Sequence, residues 1–146
     1  MKRSLLALLC AGSLALAQEP VPSPEPSADP GLRPRLYNLA GAVGNEGFKL
    51  RDGAWSGVLQ GSKPQRLAVN LFAGNQHWFC AATSATGETP SLSLRDPAGH
   101  EVELVKFEKD GIAAVGVTAP ATGRYVLTLQ GSARGSRDFC VLYLFK

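Results

Sequence analysis

The chain has 146 residues, 45% of them hydrophobic and 18% charged, with a formal net charge of +3. With residues 1–17 set aside as a leader, Lys+Arg falls from 15 to 13 against 12 Asp+Glu, and the charge from +3 to +1. So neutral a chain lacks the basic surplus needed to neutralise a row of phosphates, which excludes nucleic acid as an expected partner.

The leader is read from MKRSLLALLCAGSLALA. Lys2 and Arg3 supply the positive end, Leu5 to Leu16 the apolar run, and Ala15-Leu16-Ala17 the small residues of a cleavage site, as in a secretory signal peptide over residues 1–17. That places the protein in the periplasm or outside a bacterial cell. The apolar run is too short to cross ~30 Å of hydrocarbon, so no integral membrane segment is expected after cleavage. Cys10 offers the alternative of an acylated lipoprotein cysteine, but Leu9 stands where such a site needs a small residue. Six of the ten prolines follow between Pro20 and Pro34, so residues 18–35 are expected to form a disordered spacer ahead of one domain over residues 36–146.

Within 36–146, short runs of Val, Leu, Phe and Tyr recur between Gly, Pro, Asn and Asp punctuation, with no long helical pattern. This predicts an all-β antiparallel β-sandwich of about eight strands. The strands are expected at Trp55–Leu59, Arg66–Phe72, Trp78–Thr83, Ser91–Arg95, Val102–Glu108, Ala113–Thr118, Gly123–Gln130 and Phe139–Phe145. Asp96-Pro97-Ala98-Gly99 reads as a type I turn and Asp110-Gly111 as a tight hairpin. In Gly123–Gln130, Tyr125, Leu127 and Leu129 alternate with polar residues, giving one buried and one wet face.

Several of these pieces carry a resemblance: SGVL at Ser56–Leu59, LFAGNQHWF at Leu71–Phe79, SLSLRDPAGHEV at Ser91–Val102, VTAPATGRYVLTLQG at Val117–Gly131 and DFCVLYL at Asp138–Leu144. In this order they resemble the bacterial pre-peptidase C-terminal domain family, over roughly the span from Trp55 to Lys146. The resemblance implies a jelly-roll-like sandwich without catalysis, usually an appendage of secreted hydrolases. Between the first two strands the family usually carries acidic residues, where this chain has Gly61-Ser62-Lys63-Pro64-Gln65.

The stretch LFAGNQHWFCAA brings His77, Trp78 and Cys80 close in sequence, as a thiol or metal site would. Period two puts Trp78, Cys80 and Ala82 on one face and His77, Phe79 and Ala81 on the other, and the family pattern turns the Trp78 face inward. His77 is then expected to point outward, and His100 to be solvated after its turn. Two isolated histidines do not make a zinc set, nor does any Gly-x-Ser-x-Gly elbow occur, so no catalytic residue is assigned. With Cys10 removed, Cys80 and Cys140 are the cysteines left in an exported chain. A Cys80–Cys140 disulfide is the expectation, contributing ~4 kcal/mol on the loop-entropy model. Two buried free thiols, or a reactive thiol, are the alternatives. Calcium in related sandwiches is held by oxygens near the domain start, where Asn45, Glu46 and Asp52 are candidates. No other cofactor is expected. Trp55 and Tyr37 are candidate ligand-stacking residues. The expected role is a non-catalytic module that binds or scaffolds a protein or polysaccharide of the cell envelope. A small secreted enzyme or protease inhibitor and a calcium-stabilised module are the alternatives.

Overall fold

The computed structural model describes residues 29–51, 54–132 and 134–146. The expected signal peptide, residues 18–28 of the spacer and Asp52 lie outside the described residues. Among the described residues there are one helix and nine strands: α1 (Leu32–Gly44), β1 (Lys49–Leu50), β2 (Trp55–Gln60), β3 (Gln65–Leu71), β4 (Gln76–Thr83), β5 (Ser91–Arg95), β6 (Val105–Lys109), β7 (Ile112–Thr118), β8 (Gly123–Gln130) and β9 (Ser136–Phe145). They form a six-stranded sheet, β1-β9-β4-β7-β6 with β2 also beside β9, and a three-stranded sheet, β3-β8-β5. Every strand pair is antiparallel. From β2 to β5 and from β7 to β9 the chain changes sheet at each step, which is the winding of a jelly-roll-like sandwich.

The core between the sheets is built from alternate residues. Phe79 and Ala81 of β4, Val115 and Val117 of β7, and Phe139, Val141 and Tyr143 of β9 meet Leu67, Leu94, Tyr125, Leu127 and Leu129 of the small sheet. Each large apolar side chain so enclosed contributes ~1.5–3 kcal/mol relative to an exposed one. Tyr125 is buried, with its hydroxyl donating to the Ala121 carbonyl at 2.8 Å, so even the polar tip of this core ring is satisfied.

The helix corrects the expectation of a spacer reaching residue 35. Leu32 to Arg35 instead open α1, with Pro34 in the first turn, where its missing N–H costs nothing. Leu32, Leu36 and Ala40 recur at one helical face, and they pack on Cys80, Ala82, Ala114, Leu142 and Leu144 of the large sheet. Arg35 Nη2 donates to the Asp110 carbonyl at 2.8 Å, fastening α1 to the β6–β7 turn. The large sheet is therefore buried on both faces over β9 and β4.

That double burial corrects two further expectations. The Trp78–Cys80–Ala82 face turns to the helix, while the His77–Phe79–Ala81 face turns to the core between the sheets, so His77 is 1% exposed rather than solvated. The expected Cys80–Cys140 disulfide is not formed: both cysteines are free and buried. The register explains why. Cys80 stands opposite Leu142 and Cys140 opposite Ala82, so the two are diagonal neighbours on adjacent strands. Diagonal Cα atoms lie ~7–8 Å apart, beyond the ~4.4–6.8 Å that a disulfide spans.

A groove around Trp78 as candidate functional site

The helix covers only part of its face. It packs chiefly on β9, β4 and β1 and reaches β7 at Ala114, while β6 stays exposed along its whole length. Along β7 the helix-side residues opposite Trp78 and Phe107 are Gly116 and Ala114, so a trough of small side chains runs between larger ones on β4 and β6. The Trp78 indole lies across Gly116, where an added Cβ would stand 2.6 Å from its Cε2. Trp78 divides the trough into two hollows of about 210 Å³ each. One is walled by Leu39, Val43 and Glu46 on the helix side and by Phe107 on the strand side. The other is lined by Gln76, Thr118 and Val105. Val105 is 66% exposed and Phe107 43% exposed. Apolar side chains held this open by a rigid sheet suit contact with another molecule.

The thiols have no part in such a surface. Burial pushes the Cys80 thiol up to about 12. Burial also raises Cys140, against the opposing pull of the Arg33 guanidinium beside it. A nucleophile needs the thiolate, and neither group supplies it near neutral pH.

The candidates from the sequence are scattered. Trp55 is half-buried and stacks on Tyr143 with ring centroids 6.1 Å apart, packed against the core between the sheets. Tyr37 is 42% exposed on α1, on the other side of the large sheet. The two do not make one binding surface. Asn45 and Glu46 are exposed just beyond α1, and Glu46 engages Lys146 Nζ through its backbone carbonyl, at 3.1 Å. Among the described residues, no three His, Cys, Asp or Glu side chains gather as a metal centre would require. His100 is exposed, with Asp96 Oδ2 3.5 Å from its Nδ1. His77 shares a 2.8 Å hydrogen bond between Nδ1 and the Tyr143 hydroxyl.

Sequence reasoning missed a buried ionic cluster at the far end of the sandwich. Glu88 pairs with Arg137, and the two side chains are 2% and 4% exposed. The Glu88 carboxylate also accepts from Thr83 Oγ1 at 2.9 Å and from the Ser132 N–H, and Arg137 Nη2 donates to the Gly61 carbonyl at 3.0 Å. Three loops are tied together there, which marks the cluster as architectural. The sole sequence signal was a Glu amid turn residues and an Arg opening an apolar strand.

Compared with known proteins, the chain matches no family model and no curated protein sequence.

Proposed function

We propose that the chain is a non-catalytic binding module of the cell envelope, secreted or periplasmic, that holds an apolar segment of a protein partner in the groove beside Trp78. The observation that carries this is the open trough itself: Leu39 and Val43 on one wall, Phe107 on the other, and Trp78 between them. The leader read at residues 1–17 and the ordered motifs resembling the pre-peptidase C-terminal family support the location and the absence of chemistry. Protonated, buried thiols and an enclosed His77 support the same reading.

The test is to pan a displayed random-peptide library on the folded chain and titrate the winners by calorimetry. Binders are expected to carry Leu, Phe or Trp anchors and to weaken at least about tenfold with Leu39→Gln or Phe107→Gln, in keeping with the loss of a central apolar contact. His100→Ala should leave them unchanged. Peptides that bind every variant equally would overturn the reading. Retardation in peptidoglycan or glycan gels, abolished by Leu39→Gln, would transfer the groove to a polysaccharide.

A further inference from the structure

Strand β6 closes one side of the six-stranded sheet and pairs, among the described strands, with β7 alone. All five of its residues, Val105-Lys106-Phe107-Glu108-Lys109, are exposed. An exposed strand edge presents unpaired N–H and C=O groups and is a template for another strand. Which groups face outward follows from the hairpin. Asp110 and Gly111 both have positive φ, 51° and 75°, as a two-residue type I′ turn requires. Such a turn is closed by a hydrogen-bonded pair, here Lys109 and Ile112. Antiparallel pairs alternate, so Lys109, Phe107 and Val105 turn their backbone groups to β7, while Lys106 and Glu108 turn theirs to the free edge.

The side chains of this strand are complementary to themselves. Antiparallel pairing of VKFEK with an identical strand, centred on Phe107, sets Lys106 opposite Glu108 and Glu108 opposite Lys106. Those are the two positions whose backbone groups are free, and each pair would exchange both hydrogen bonds. Phe107 would meet its own copy as the close, non-hydrogen-bonded pair, with Cα atoms ~4.5 Å apart. Val105 would face the aliphatic stem of Lys109. We propose that the edge of β6 joins a second copy of this chain, by antiparallel β6–β6′ pairing about a two-fold axis at Phe107.

The axis stands perpendicular to the sheet, as for any antiparallel strand pair, and the interface is isologous. The two large sheets run on as one, and the two Trp78 grooves open on the same face, either side of the axis. Lys106 and Glu108 lie on the face away from the groove, opposite the core residues Val115 and Ala113. Phe107 belongs to both surfaces, but charge exchange at Lys106 and Glu108 leaves the groove walls untouched, so it probes the pairing without altering the groove. Other sheet edges lack this pattern: β3 (QRLAVNL) and β5 (SLSLR) bring no opposite charges together when paired with themselves.

Charge exchange tests the register. In sedimentation equilibrium across micromolar to millimolar protein, the wild type is expected to be a concentration-dependent dimer. Lys106→Glu sets Glu against Glu108, and Glu108→Lys sets Lys against Lys106, so each single variant should weaken dimerisation about tenfold or more. The double variant K106E/E108K restores opposite charges with signs exchanged and should dimerise like wild type. Circular dichroism and thermal melts at low concentration should show all four proteins equally folded. A wild type monomeric throughout, single variants as dimeric as wild type, or a double variant that stays monomeric would each overturn the proposal.

Discussion

His77 Nδ1 and the Tyr143 hydroxyl lie 2.8 Å apart on the core-facing side of the large sheet. Tyr143 in turn stacks on Phe79, with ring centroids 4.9 Å apart, and carries the Arg51 guanidinium 5.4 Å from its ring centre. A histidine that looks like a surface residue in the sequence is thus the polar keystone of an aromatic cluster.

Acid should loosen this protein through His77. Burial lowers its pKa, and the Arg51 charge adds to that, against an opposing pull from the Phe72 carbonyl. The unfolded chain takes up a proton near ~6.5 and the folded chain does not, so stability is full above that pH and falls as pH drops below it. Urea melts at pH 7.5 and 5.0 should show this loss, and His77→Leu should flatten the slope between those two values. Tyr143→Phe, which leaves the buried ring nitrogen unpaired, should cost ~1–3 kcal/mol at neutral pH.

The two cysteines should behave as sealed thiols. Iodoacetamide at neutral pH is expected to add nothing to native protein and to label both Cys80 and Cys140 once urea unfolds it, as read by intact mass. Because the fold raises the Cys80 thiol from 9.0 to about 12, stability should decline as pH rises through that interval. Cys80→Ala should remove much of the decline. A native mass two hydrogens lighter, with neither thiol alkylated in urea, would show the diagonal pair to be bridged.

Removing one member of the Glu88–Arg137 pair should be severe. Glu88→Gln leaves a buried guanidinium facing a neutral amide and is expected to cost ~3–5 kcal/mol by denaturant unfolding. Replacing both, as E88Q/R137M, should cost less than the sum of the single changes, because no uncompensated charge remains.

Gly116→Ala tests the seat of Trp78. The new methyl would overlap the indole, which lies within 3.0 Å of that position at three atoms. Overpacking of this kind costs ~1–3 kcal/mol. The indole should be pushed towards the groove, shifting its fluorescence to longer wavelength. Unchanged emission and stability would mean the ring does not rest there.

Local rules reached the strands and stopped at the layers. Gly123–Gln130 is buried at Tyr125, Leu127 and Leu129 as its alternation implied, because one face of β8 meets water. β4 defeated the same rule: from Phe79 to Thr83 every residue is buried, and alternation cannot rank two covered faces. The helix that covers the second face hid behind Pro34, Gly41 and Gly44, although Leu32, Leu36, Leu39, Ala40 and Val43 hold helical spacing. The groove was out of reach altogether. Its walls come from residues 39, 78 and 107, which only the winding of the sandwich brings together.

β9 has a bearing on how the molecule comes into being. It is hydrogen-bonded to β1 and β2 on one side and to β4 on the other, and all three precede it in the chain. A ribosome can therefore release the first eight strands without the large sheet being able to assemble across its middle. Until residues 136–145 emerge, β4 has β7 as its single neighbour and β1 and β2 have none. Closure of the large sheet must therefore follow translation of that segment, whereas β3, β5 and β8 and the β4–β7–β6 pairing can form before it.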